Sequence, residues 1–206
     1  MDAREIDNHP DGATDHITLR TGEAVTLRPL RTEDAGILGA YFLGLSPTTR
    51  SFYGPHRFDQ ATADELCASV DSADALRMLA CSEAGGETRV IGYFISVMGI
   101  KESDTKRFTD LGITLDAEND CTLAPSVADD YQDAGLGSLI MAHVLSVLRK
   151  CGKRRLLLMG GVQERNARAA HFYVKHGFQK VGEFKINTTV DGESVQINNY
   201  DMILDL

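Results

Sequence analysis

The chain has 206 residues, 43% of them hydrophobic and 25% charged, the balance of an ordinary globular protein with length enough for one full core. Acidic residues outnumber basic ones 30 to 21, a net charge of −9, and the basic cluster RKCGKRR at 149–155 fits a helix C-terminus and loop rather than a nucleic-acid face. No apolar run is long enough to span a bilayer, and four scattered cysteines with no CxxC or close Cys/His pair argue against a metal centre and for reduced cytoplasmic thiols.

The first stretch, MDAREIDNHPDGATDH, is polar and lacks the basic and apolar regions of a secretory signal. Residues 1–16 are expected as a disordered tail and 17–206 as a single domain of cytoplasmic location. HITLRTGEAVTLRPL alternates apolar and polar residues about a TGE turn and predicts a hairpin, or a strand after a short lead. In RTEDAGILGAYFLGLS, Thr32 suits an N-cap, Glu33 and Asp34 suit the first turn, and Ile37, Leu38, Tyr41, Phe42 and Leu45 share a helical face. Ser46-Pro47 ends that helix and can start a short one, and Asp59 caps the next, QATADELCASVD. ALRMLACSE and RVIGYFISVMG read as adjacent strands around an AGGET turn.

The polar stretch IKESDTKRFTDLGITLDAEND is long for a loop, so it is either functional or holds further structure. CTLAPSV is a strand containing a proline, ADDYQDAGLG a turn, and 138–150 a helix with Leu139, Ile140, Val144, Val147 and Leu148 inward. RRLLLMGGV has the continuous apolar run of a strand buried on both faces. NARAAHFYVKH is a helix capped by Asn166 and stopped by Gly177, and two strands about a DG turn follow. This order predicts an α/β (α+β) fold, a mixed sheet of about six or seven strands flanked by about four helices.

QDAGLG, Gln132 to Gly137, sets two glycines at the mouth of the 138–150 helix. The first N–H groups of a helix lack intrahelical partners and carry the positive end of the macrodipole, and glycine admits a ligand close to the main chain. The stretch is therefore a candidate anion site, with a plain tight turn as the other reading. A dinucleotide fingerprint would need a third glycine where Ile140 stands, and the Gly-Lys-Ser/Thr of a nucleoside-triphosphate loop is absent. Asn166 and Tyr173, seven residues apart, lie on one face of a later helix.

Together, SVADDYQDAGLGSLIM and RRLLLMGGVQERNARAAHFYVKHGF resemble the GCN5-related N-acetyltransferases, the GNAT family. The family carries Gln/Arg-x-x-Gly-x-Gly/Ala at the start of its main helix, then Asn-x-x-Ala near a helical tyrosine, then Gly-Phe. Those positions are Gln132, Gly135, Gly137, Asn166, Ala169, Tyr173, Gly177 and Phe178. VTLRPLRTEDAGIL is similar to the family's first strand and helix, so the likeness runs over roughly residues 24–206.

The resemblance implies acetyl-CoA as donor, coenzyme A as product, and direct attack by an amine on a small molecule or protein. It implies that main-chain N–H groups of Gln132, Asp133, Ala134, Gly135, Leu136, Gly137 and Ser138 cradle the pyrophosphate. Pantetheine would pair with Val127 and Ala128 between two splayed strands, Asn166 would contact the arm or the loop, and Tyr173 would sit at the sulfur and protonate the leaving thiolate. No nucleic-acid, membrane or metal partner is expected, and a homodimer is compatible with the sequence. The alternative is a coenzyme A or acyl-CoA sensor, a weak relative acting as a binding module.

Three positions depart from the family pattern. Asp133 and Ala134 replace a glycine and a basic residue, and a carboxylate there repels a pyrophosphate unless it points to solvent. Pro125 lies where the family uses a backbone N–H to hold the acetyl carbonyl, and proline has none. CTLAPSV carries no carboxylate base, leaving Asp116, Glu118, Asp120 and His56 as candidates.

Overall fold

In the computed structural model, which describes residues 1–190 and 193–206, the apolar runs lie side by side in one mixed sheet. Its strands are β1 (Asp15–Thr18), β2 (Ala24–Pro29), β3 (Ala75–Ser82), β4 (Arg89–Val97), β5 (Asp120–Val127), β6 (Arg155–Leu158), β7 (Val162–Gln163), β8 (Gln179–Val190) and β9 (Glu193–Asp205). The order is β1-β2-β3-β4-β5-β6-β9-β7, with β8 also on β9. Nine strands among the described residues exceed the six or seven expected: β1 and β2 form the hairpin read in HITLRTGEAVTLRPL, and the two-residue β7 is too short to show periodicity. The DG turn expected at 191–192 lies outside the described residues.

The helices are α1 (Ala35–Gly44), α2 (Pro47–Ser51), α3 (Gln60–Ala68), α4 (Glu102–Asp110), α5 (Leu136–Lys150) and α6 (Ala167–Lys175). Among the described residues no helix is long and apolar enough to cross a membrane.

The period of two along β3 divides the interior. Leu76, Met78 and Ala80 join α5 residues Ile140, Met141, Val144 and Leu148 in one cluster. Ala75, Leu79 and Cys81 join Leu38 and Phe42 of α1 and Ala63 and Cys67 of α3 in the other. Alpha-helices therefore cover both faces of the sheet. α5 sits directly on β4: a Cβ on Gly92 would fall 2.6 Å from Ile140 Cδ1. Leu139, expected inward, is 41% exposed, and Leu136, Met141 and Leu145 fill that face instead.

Thr32 does not cap α1. A 3-10 turn, Thr32–Asp34, precedes it, and the Asp34 carboxylate accepts from Arg31 N–H at 2.8 Å. The same carboxylate is held by both terminal nitrogens of buried Arg28, at 2.6 and 2.7 Å. A bidentate charged acceptor outcompetes a neutral hydroxyl.

Residues 1–16 are not a loose tail. Two 3-10 turns, Ala3–Glu5 and Pro10–Ala13, bring Ile6 and Ala13 to full burial in the α5 cluster. Asp7 accepts from Ser72 N and Oγ at 3.0 and 2.6 Å. Two apolar side chains and one capping carboxylate dock a segment that composition alone assigns to solvent.

The polar segment before β5 holds α4. Phe108 is buried, and Arg107 bridges buried Asp104 and Asp201 at 2.7 and 3.1 Å with its guanidinium 4.0 Å from the Phe184 ring centroid. Burial here runs through paired charges, so the helix has almost no apolar stripe to read.

Candidate active site

β5 and β6 pair in parallel only from Asp120↔Arg155 to Leu123↔Leu158. Beyond that, β5 stays on β4 as far as Val127, while the chain leaves β6 through Gly160 and Gly161, both at positive φ. The wedge opens into a cavity of about 390 Å³, walled by β5, the 131–138 turn, α6 and residues from α2 to Tyr53.

Main-chain directions along β5 follow from two bonds. Ala128 N–H donates to Ile91 O at 3.0 Å, so residues 124, 126 and 128 address β4. Leu123 O accepts from Met159 N–H at 2.9 Å, so residues 123, 125 and 127 address the wedge. Val127 thus turns its N–H into the cavity, and its carbonyl accepts from Gln132 Nε2 at 3.0 Å. Pro125 offers the wedge a carbonyl and no N–H.

The turn into α5 is built from left-handed backbone. Asp133 has φ 61° and Gly135, the cap of α5, φ 88° with no side-chain capping bond. The N–H groups of Leu136 and Gly137 are left without intrahelical partners, whereas Ser138 N–H donates to Gly135 O at 3.1 Å. A Cβ on Gly137 would lie 3.4 Å from the Phe172 ring, so the glycine keeps the mouth of the helix narrow.

Val127, Gln132, Asp133, Gly135, Gly137, Ser138, Asn166 and Tyr173 all line the cavity. Ala128, Ala134 and Leu136 do not. Leu136 points its side chain into the core, Ala134 is exposed, and Ala128 is engaged with β4, so these three bring at most main chain to the site.

The Asp133 side chain is 77% exposed and lies 3.6 Å from Arg168 Nη1, so the unfavourable carboxylate is turned out and paired. Asn166 caps α6, its Oδ1 accepting from Ala169 N–H at 3.1 Å, which leaves its amide nitrogen to donate. Tyr173 is 7% exposed between Phe172 and Phe178, and burial raises its pKa well above the ordinary phenol value. The hydroxyl has no hydrogen-bond partner among the described residues and is free to meet a ligand.

The acids of the 116–120 segment lie at the closed end of β5 and line no part of the cavity. Asp116 caps its own turn through Glu118 N–H at 2.9 Å and Asn119 Nδ2 at 2.6 Å, and buried Asp120 is held by Arg155 at 2.5 and 2.9 Å. Asp116 and Asp120 are structural. His56 does not line the cavity, but its Nε2 lies 3.3 Å from the hydroxyl of Tyr53, which does.

Sequence reasoning missed Thr49, Phe52, Tyr53, Arg168 and Lys175 in the lining. The stretch SPTT at 46–49 carried one usable signal, a run of hydroxyls beside an acidic turn. Asp129 accepts from Ser46 N–H, Ser46 Oγ and Thr49 Oγ1 at 2.9, 2.7 and 2.6 Å. Gln132 Nε2 also lies 3.2 Å from Thr49 Oγ1, so α2 is clamped to the turn before α5. The polar segment at 100–120, read as either functional or holding further structure, contributes nothing to the lining.

Free helix N–H groups, two nearby cations on α6 and an open strand edge suit a ligand with a phosphate at one end and an amide-bearing extended arm. The family model described as acetyltransferase (GNAT) family matches residues 49–178. An acetyltransferase of Pseudomonas aeruginosa is 28% identical over 154 residues, 73% of this chain and 74% of that one. The GNAT domain of PAT from S. lividans superposes with TM-score 0.67 at 19% identity, covering 96% of this chain and 99% of that one. A ribosomal-protein-alanine N-acetyltransferase from Brucella melitensis gives TM-score 0.63 at 16% identity, covering 87% and 99%. The two structural likenesses speak to fold alone.

Proposed function

The chain belongs to the acetyltransferase (GNAT) family, and from that premise we propose that it is an N-acetyltransferase moving acetyl from acetyl-CoA to an amine. The observation that carries this reading is the wedge. One strand edge, one helix mouth and one buried tyrosine converge on a single cavity.

The residues present fit the donor. N–H groups of the 133–137 turn, with Leu136 and Gly137 free of helix bonds, face the pyrophosphate, and Arg168 and Lys175 supply charge. The Val127 N–H and the Asn166 amide hold the pantetheine arm. When bound, acetyl-CoA supplies an acyl thioester open to direct attack. Tyr173, which burial keeps protonated, donates a hydrogen bond to the departing sulfur. Phe52, Tyr53 and Thr49 face the acceptor, a small-molecule amine or a protein amine. An alkylammonium has a pKa near 10, so about one in a thousand molecules is nucleophilic at neutral pH, and a proton must leave during attack.

Pro125 favours a second reading, a coenzyme A sensor with weak turnover, because a missing donor at an acyl oxygen costs about 2.7–4 kcal/mol of barrier. Calorimetric titration with coenzyme A and with acetyl-CoA tests both. Micromolar or tighter binding of each, followed by transfer to an amine panel, is the expected result. Acetyl-CoA binding with no transfer to any amine points to the sensor. Absence of binding by either removes the acyl-CoA reading altogether.

A further inference from the structure

The cavity offers no unpaired carboxylate to act as a base. Among its described lining residues the one carboxylate is Asp133, exposed and ion-paired to Arg168. Tyr53 lines the same space as Tyr173, on the acceptor side.

Behind Tyr53 stands His56, whose tautomer is fixed by its neighbours. Nδ1 lies 2.8 Å from Arg57 O, a pure acceptor, so Nδ1 carries the hydrogen. In the neutral ring Nε2 is then an acceptor, and it faces two hydroxyl donors, Tyr53 at 3.3 Å and Tyr93 at 3.2 Å. The rings of Phe42, Tyr53, Phe58 and Tyr93 lie 5.2–5.7 Å from the imidazole centroid, a setting that tolerates a transient cation. Burial lowers the His56 pKa, Arg57 O and Asp59 oppose that, and Arg77 adds to it, so the ring is neutral at pH 7.

We propose that Tyr53 and His56 form the proton exit for the acceptor amine. The inference rests on the acetyl-transfer reading above. As the nitrogen attacks the acetyl carbonyl, its proton passes to the Tyr53 oxygen while the Tyr53 hydroxyl proton passes to His56 Nε2. A C–N bond forms, the C–S bond breaks, and its electron pair leaves on sulfur, which Tyr173 meets with a hydrogen bond. His56, now imidazolium, returns a proton to Tyr53, which releases one to water. Tyr53 is the group that touches substrate. His56 acts through it.

The test uses Tyr53→Phe, His56→Gln and His171→Gln beside the wild-type chain. His171 is the exposed imidazole that lines the cavity mouth on α6. Acetyl-CoA with spermidine, glucosamine or a lysine peptide gives the pH profile of kcat/KM, and calorimetry gives acetyl-CoA affinity. A wild-type acid limb with its midpoint below about 6.5 is expected, because the base must be neutral to act. That limb disappears in Tyr53→Phe and His56→Gln, with rates at pH 7 down on the order of 10²-fold and donor binding kept. It persists in His171→Gln. The amine's own limb, near pH 10 for a lysine side chain and lower for glucosamine, is common to all variants. Retention of the limb and rate in both relay variants, or its loss in His171→Gln, overturns the proposal. Nitrogen NMR of the wild-type histidines reads the relay without turnover: His56 as the Nδ1–H tautomer is expected, and an Nε2–H or charged ring at pH 7 overturns the relay. Wild-type protein that binds no acetyl-CoA but shows the expected tautomer identifies failure of the acetyl-transfer reading instead.

Discussion

At the scale of single residues, Tyr173 has one atom to contribute and its surroundings fix what that atom can do. Burial raises its pKa, so it stays protonated throughout the physiological range and adds no alkaline limb to a rate profile over about pH 6–9. Tyr173→Phe is expected to lower kcat by about 10²-fold while calorimetric affinity for coenzyme A is unchanged, since the ring remains between Phe172 and Phe178. The position of Tyr173 was legible because it shares a helix with Asn166, and helical spacing is local. The partner of Asp133 was not, because Arg168 lies 35 residues away and nothing in the spacing links an αL aspartate to the first turn of α6. The Tyr53–His56–Tyr93 contact was hidden for the same reason. Two of its members are neighbours in sequence, but the third comes from a strand 37 residues on from His56.

Among elements, the turn into α5 concentrates the consequences of backbone geometry. Gly135 sits at φ 88° with open space around its missing Cβ, so strain rather than a clash opposes any other residue. Gly135→Ala is expected to cost about 1–2 kcal/mol, lowering Tm by about 2–8 °C in a thermal melt. The turn relaxes away from its left-handed geometry, and coenzyme A binding weakens about tenfold. The glycine pair announced this element before any fold was known. α4 and the 3-10 turns of residues 3–13 gave no such notice. Each is held by few apolar side chains together with buried or capping carboxylates, a pattern that hydrophobic periodicity does not register.

For the molecule as a whole, the donor side and the acceptor side are mechanically one piece. Burial works against the charge of Asp129, but hydrogen bonds from Thr49 and Ser46 outweigh it and hold its pKa below the ordinary value. The clamp is therefore fully charged above about pH 5 and weakens as pH falls through that lowered pKa. Asp129→Asn leaves one acceptor oxygen for three donors. It is expected to raise KM for both acetyl-CoA and amine, each by about tenfold, in steady-state kinetics. A shift in one KM alone would show that α2 and the 129–132 turn are uncoupled. The sequence reading went as far as a mixed sheet, and the strand–helix–strand order around α5 accounts for the parallel β5–β6 pair within it. The placement of β9, with β6 and β7 end to end on one edge and β8 on the other, was not readable, since sequence order carries no marker for which edge a late strand will join.

That placement of β9 has a consequence for how the protein comes into being. β6 touches only β5 and β9 in the sheet, and β7 pairs with β9 alone. A nascent chain that has emerged as far as α6 holds one firm wall of the wedge, β5 on β4, and a second wall anchored by four residue pairs. Arg155, Leu156 and Leu157 gain their outer neighbours only when 203–205 arrive, and Val162 and Gln163 when 199–200 do. The binding cleft is thus the last part of the sheet to set during synthesis, and the strand that sets it lines none of it.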